Sequence, residues 1–385
     1  VRLAEKAEHE SVLFGPRSAL EFLEKHRPSF HFEKRVSVAD YQDGRQDVWG
    51  YGADRPTARG IVDEATRYLE ERPTNEPFFL WLFHFDQHAW RELDETYVRE
   101  RQAEYQLPTE GPLDVRYRIV ARSIDEQFGR FLAALERTGH DDDTVVVFVS
   151  DHGEGMGKNG FWVHSVFLWE DLIHVPLIIR GPGIEPQVVE DVVSLVDVAP
   201  TLAPYLGQPE EPALYHGVDL LEFAAGHTPE RRVPIVLRGA NQDRLERVGI
   251  IDPASGRKLV LRVEAALPEL HALDRGDDVN LTRLELDRTR QLVAALALSP
   301  VGPRIKDDFD LLLDRGDKVP KAAPPRAPSP VVSVEVAPRV VVPSVTRSAP
   351  VAVPNAALTV DSPSDSSTGM AGSHSHEQAT APAEH

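Results

Sequence analysis

The stretch SDHGE, Ser150 to Glu154, closes an unbroken apolar run, VVVFV, with an acid and an imidazole side by side. Asp151 offers a hard anionic oxygen and His152 a borderline nitrogen, a pair suited to a divalent cation. Gly153 lets the backbone turn tightly after them. A second polar set, HFDQH, closes another apolar run. There His84, Asp86 and His88 alternate, and period-two spacing sends all three to one face if the strand continues that far. His164 sits in GFWVHSVFLWED among Phe161, Trp162, Phe167, Leu168 and Trp169, which predicts an apolar wall beside it; Lys158 shares its loop. Each also has an ordinary reading: strand-end residues in water, a half-buried histidine held by a carbonyl, a solvated lysine. Combined, they describe a cation site flanked by histidines, suited to an ester of a multiply charged oxyanion such as sulfate or phosphate. The cation and protonated side chains stabilise charge on non-bridging oxygens, and a histidine protonates the leaving oxygen.

The elements around these residues alternate from about Ala58. TARGIVDEATRYLEERP places Ile61, Ala65, Tyr68 and Leu69 at helical spacing and stops at Pro73, and PFFLWLFHF follows as a short buried strand. VRYRIVARSIDEQFGRFLAALERTG carries Ile119, Ile124, Phe128, Leu132 and Leu135 on one helical face and stops at Gly139. TVVVFVS and VPLIIRG lack alternation and are β-branched, which predicts strands covered on both faces. Asp197 is placed to cap the short helix of DVAPTLAPYLG, with Gly207 as its stop. This alternation predicts an α/β fold, a largely parallel or mixed sheet sandwiched by helices, with ligands beyond the carboxyl ends of strands. RRVPIVLRG, RVGIIDP and RKLVLRVE are short strand-like runs that predict a small antiparallel subdomain, closed by the helix of LTRLELDRTRQLVAALAL. The predicted organisation is a core over 1–230, this subdomain over 231–300, and a linker and tail over 301–385.

Composition narrows the function. A formal net charge of -20 argues against sequence-independent nucleic-acid binding. No window suggests a membrane span, and VRLAEKAEHE is too charged for a secretory signal. With no cysteine, disulfides, thiolate metal sites and a cysteine nucleophile are all excluded. No Phe, Tyr or Trp follows Phe309, and prolines crowd the last stretch, which predicts a disordered tail whose SHSHEQ histidines carry no role.

Five blocks, in order from about Thr57 to Leu298, resemble the sulfatases of the alkaline phosphatase superfamily. PFFLWLFHFDQHAW resembles the family's strand ending in Asp-Pro-His, with Gln87 where proline is usual. DDDTVVVFVSDHGEGMG is similar to its metal-binding strand and loop, and HSVFLWEDLIHVPLIIRGPGI to the sulfate-contacting stretch and the strand after it. VSLVDVAPTLAPYLG with HGVDLL, and ELHALDRGDDVNLTRLE, continue the series. The resemblance implies an alkaline phosphatase-like fold and a sulfate-ester substrate. It implies that Asp151 and His152 ligate one divalent cation, calcium most often in this family. His88 and His164 would contact the sulfate group or protonate the leaving alcohol.

The family's nucleophile is a formylglycine made within a Cys/Ser-x-Pro/Ala-x-Arg motif that follows an Asp-Asp pair. Neither motif occurs here: FGPRSAL has no serine or cysteine at the required place, and Arg17 is not the family's arginine. The expectation is a chain without the family's N-terminal third, marginally folded, inactive alone, and with apolar sheet edges exposed. The family implies a periplasmic, membrane-associated or extracellular setting. A phosphate or phosphonate ester hydrolase, a phosphoryl transferase of the same superfamily, and a non-catalytic sulfatase-like binding protein stay open as alternatives.

Overall fold

The structure is a computed structural model that describes residues 2–26, 31–38, 56–110, 113–157, 160–162, 164, 166–208, 215–231, 234–240, 246–263 and 267–299. Lys158, and the tail from 301 with its SHSHEQ pair, lie outside these residues. The strands are β1 (Glu10–Pro16), β2 (Lys34–Val38), β3 (Phe78–Leu82), β4 (Val146–Val149), β5 (Leu177–Arg180), β6 (Ile235–Ala240), β7 (Glu246–Asp252), β8 (Arg257–Arg262) and β9 (Leu267–Ala272). The helices are α1 (Arg2–Lys6), α2 (Arg17–His26), α3 (Ala58–Glu71), α4 (Glu95–Glu104), α5 (Val115–Thr138), α6 (Glu170–Ile173), α7 (Val198–Leu202), α8 (Leu220–Ala224) and α9 (Leu286–Ala297).

A parallel sheet of order β2-β1-β3 forms the centre. Val12 pairs with Lys34 on one side and Leu80 on the other. Parallel neighbours need crossover connections, which run through α2 and α3. Val12 and Phe14 face Ile61, Val62, Ala65 and Leu69 of α3 and Phe131, Ala134 and Leu135 of α5. Leu13, between them, turns to the opposite face with Leu20 and Phe32. The sheet is thus sandwiched by helices, the α/β arrangement expected from the sequence. The sequence reading began this alternation at Ala58 and missed β1 and α2. Yet SVLF is a short apolar run of the same kind as FFLWL, and all four of its residues are at most 1% exposed.

β4 and β5 pair antiparallel as a separate two-stranded sheet. The expectation that both are covered on both faces is corrected here: Val149 is 43% and Ile178 56% exposed, and Trp81 of β3 is 39% exposed. An apolar run shows that a strand can be covered, not that its neighbour is present. α5 stops as expected at Gly139, in the left-handed conformation at φ +77. Its buried stripe runs through Ile119, Val120, Phe131, Ala134 and Leu135, leaving Phe128 half-buried.

Asp197 is also corrected. It makes no side-chain cap to the helix it precedes; fully buried, its carboxylate instead accepts two bonds from Arg231, at 2.7 and 2.6 Å, and the Val218 amide at 3.0 Å.

The C-terminal sheet is antiparallel, in order β6-β7-β8-β9, and α9 closes it by packing Leu292, Val293 and Leu296 on Val248, Ile250, Leu259, Leu261 and Leu270. The sequence reading found three of its strands. It missed β9 because Pro268 speaks against a strand, and β9 is at the sheet's edge, where proline is tolerated.

Candidate active site

β3 ends at Leu82, and the chain bends into a 3-10 helix over Asp86–Glu92. His84, Asp86 and His88 therefore do not share a face, because the strand stops before its period can act on them. Asp86 is buried and turns back onto α3. Its carboxylate accepts from the Thr57 amide at 2.6 Å, the Thr57 hydroxyl at 2.7 Å and the Ala58 amide at 2.9 Å. It serves as the N-terminal cap of that helix, donated from a distant segment.

His84 is half-buried, but its Nδ1 is enclosed with no hydrogen-bond partner among the described residues, and this desolvation pushes its pKa down from 6.5 to about 4. The unfolded chain therefore takes up this proton first as pH falls. The stability linked to it is intact above about pH 6.5 and is lost on the way down to about 4, at roughly 1.4 kcal/mol per unit. Replacement of His84 by Leu is expected to remove about 2 kcal/mol of the stability lost between pH 7.5 and 5, read from urea midpoints at the two values. Equal losses in both proteins would refute the assignment.

His88 is the residue of this segment that reaches the site. Phe85 stacks on its ring at 4.7 Å, and its amide bonds the Phe85 carbonyl at 3.0 Å. Gln87, in the usual proline position, donates to the Tyr117 carbonyl at 3.3 Å, tying the turn to α5.

The second strand end lies opposite. The Ser150 hydroxyl donates to the His152 carbonyl at 2.7 Å, and the Gly153 amide donates to Leu172 O at 2.9 Å. Gly153 is required here by proximity rather than by turning: a Cβ would lie 2.0 Å from the Asp171 carbonyl oxygen. His152 Nδ1 donates to the Gly153 carbonyl at 2.9 Å, which leaves Nε2 as the free lone pair.

His164 joins the two ends. Its ring lies 4.9 Å from that of His88 and 4.1 Å from that of His152. The aromatic residues expected as a wall beside it pack on one another instead: Phe167 stacks on Trp169 at 4.0 Å and Phe161 meets Phe167 at 4.5 Å.

Glu154 lies under His164, its Oε1 3.7 Å from Nδ1, with the Trp90 indole nitrogen 3.4 Å from Oε2. Burial pulls this carboxyl up, but His164, the Gly155 amide and Trp90 together more than offset it, so Glu154 lies below the ordinary range. His88 is pushed down by burial first, then by His164 and His152. The sequence reading gave Glu154 and Trp90 no role; Glu154 stood in the SDHGE motif, but nothing in the motif showed that it would turn under His164.

Asp151 Oδ2 and His152 Nε2 lie 3.7 Å apart, a gap that one cation with bonds of about 2.0–2.4 Å can bridge. The Asp151 side chain is 79% exposed. These two donors fit half of a cation site. No three His, Asp or Glu side chains among the described residues are grouped to hold a metal.

The sulfatase family model matches residues 20–208, which include every one of these residues. Choline-sulfatase of Rhizobium meliloti is 38% identical over 119 residues, 30% of this chain and 23% of its own length. Arylsulfatase of Clostridium perfringens is 28% identical over 188 residues, 40% of this chain and 39% of its own. Residues 20–208 of this chain belong to the sulfatase family. The chain spans well under half the length of those two sulfatases. In fold it is similar to a 2-O GAG sulfatase, with a TM-score of 0.57 at 19% identity over 81% of this chain and 74% of the other. A phosphonate monoester hydrolase of Agrobacterium radiobacter gives 0.54 at 20% identity over 77% and 79%. Sulfatase membership makes the meeting of β3 and β4 at their carboxyl ends intelligible, since that is where α/β sheets place ligands. Among the described residues, no helix is long and apolar enough to cross a membrane.

Proposed function

We propose that these residues form the sulfate-binding part of an enzyme that hydrolyses sulfate esters. The observation that carries the reading is the row His88, His164, His152, backed by a half-buried Glu154 and lying beyond two strand ends. Imidazole N–H groups suit the non-bridging sulfate oxygens. His88 and His164 are assigned to contact the sulfate or to hand a proton to the leaving alcohol oxygen. Glu154 lies 3.7 Å from His164 Nδ1, which has no hydrogen-bond partner among the described residues, so it acts on that ring through its charge and favours the protonated imidazole. Asp151 and His152 are assigned to one divalent cation, calcium in this reading, which when bound neutralises developing charge on the sulfate oxygens.

The reading assigns the attacking group, formylglycine, to residues other than those of this chain, so the chain alone is inactive. Export to the periplasm, a membrane surface or the cell exterior belongs to the same proposal, and rests on family membership.

The test uses the chain as it is. Inorganic sulfate is titrated in the presence of calcium while the ring Hε1 resonances of His88, His152 and His164 are followed. These three are expected to move together, with His84 and His271 unmoved. His164→Gln is expected to weaken sulfate binding by about tenfold or more, since hydrogen bonds to charged groups contribute about 1.5–3 kcal/mol. Absence of any shift at the three rings would remove the basis of the proposal. Hydrolysis of an aryl sulfate by this chain that disappears in Asp151→Ala would overturn the claim of inactivity.

A further inference from the structure

Lys258, the second residue of β8, is 1% exposed, an unusual place for an amine. Its Nζ donates to the Leu168 carbonyl at 3.0 Å and lies 2.6 Å from Asp277 Oδ1 and 3.6 Å from Glu170 Oε2. The other Asp277 oxygen accepts the Glu170 amide at 2.5 Å. The Asp277 side chain is itself only 5% exposed. One buried ion pair thus grips the segment that enters α6 from both sides. A second grip comes from β6, where a Cβ on Gly239 would lie 2.3 Å from the Val166 carbonyl oxygen, leaving no gap between sheet and segment.

The next two residues of α6 are the ones that hold the histidine loop. Asp171 offers the carbonyl against which Gly153 is pressed, and Leu172 O accepts the Gly153 amide. A helix of four residues has no stability of its own and stays where its anchors put it.

We infer that Lys258 is a positioning residue: through Asp277 and the start of α6 it sets the Gly153 backbone, and with it Asp151 and His152, from the C-terminal sheet. The relevance to sulfate chemistry rests on the functional proposal above; the mechanical coupling does not. This links two parts of the chain that the sequence separates by about a hundred residues, and gives the C-terminal sheet a task at a site to which it contributes no ligand.

The test is amide exchange by mass spectrometry over 150–157, together with the His152 Hε1 resonance. Lys258→Met is expected to speed exchange there about tenfold or more and to move the His152 resonance, with β7 and β9 exchanging as before. Lys258→Arg, which keeps a cationic donor, is expected to restore much of the protection. Should the Met variant fail to fold because Asp277 is left buried and unpaired, Lys258→Met with Asp277→Asn removes both charges, and faster exchange over 150–157 is expected again. Leu296→Ala weakens the same sheet from its core, and is expected to leave 150–157 and the His152 resonance unchanged relative to the rest. Unaltered exchange in both Met variants, or an equal effect of Leu296→Ala, would overturn the inference. Failure of the wild-type chain to bind sulfate would count against the functional proposal and leave this result standing.

Discussion

Gly153→Ala is expected to cost about 3 kcal/mol or more, and to abolish the sulfate response of His152. The added methyl would lie 2.0 Å from the Asp171 carbonyl oxygen and 3.2 Å from the Leu172 Cα. Both are backbone atoms, so no side-chain rotation relieves the clash. Either α6 retreats, straining the Lys258 and Asp277 contacts, or the loop lifts and the Gly153–Leu172 hydrogen bond breaks. Asp151 and His152 move in both cases. Thermal unfolding should fall by several degrees, at roughly 2–4 °C per kcal/mol for chains of this order. Gly129→Ala is the matched control. A Cβ there meets nothing within 4 Å in the middle of α5, so the same substitution should stabilise by about 0.5–1 kcal/mol. A Gly153→Ala protein that melts and binds sulfate like the wild type would show that the close approach is not real in solution.

Asp86→Ala is expected to destabilise by about 3–5 kcal/mol, among the largest effects of any single truncation in this chain. Thr57, at the start of α3, makes no side-chain cap to its own helix. Asp86 supplies it instead, and its removal leaves two buried amides and a hydroxyl without their acceptor at the positive end of a helix dipole. Asp86→Asn keeps one acceptor oxygen but turns an NH2 toward these donors, so about half of the loss is expected to remain. The urea midpoint measures both. His88 lies two residues on, within the same 3-10 helix, so the sulfate response of its ring should weaken alongside. A loss under about 1 kcal/mol for Asp86→Ala would mean that water replaces the cap without difficulty.

Both effects bear on what could be read before the fold was known. The apolar runs, the α5 stripe ending at Gly139, and the family blocks were legible because periodicity and turn chemistry are local properties. The same local signal existed at SVLF in β1 and was passed over, while β9 was hidden by a proline that only an edge position excuses. The four residues expected at the site divide by the same rule. His88, Asp151, His152 and His164 are marked by type and motif, and the fold brings three rings of this set within contact.

The sequence by itself determined the chemical vocabulary of this protein: a sulfatase-family α/β chain with histidines at strand ends, a glycine beside them, and no cysteine to serve as nucleophile. The tertiary structure alone decided which residues share a surface. Asp86 became a helix cap rather than a partner of His88, because its strand ended at Leu82. Glu154 came to lie beside His164, and Lys258 became the anchor of the segment entering α6, across gaps of 10 and about 90 residues. Such pairings follow from the packing of α3, α5 and the C-terminal sheet, a long-range outcome to which no local spacing rule has access.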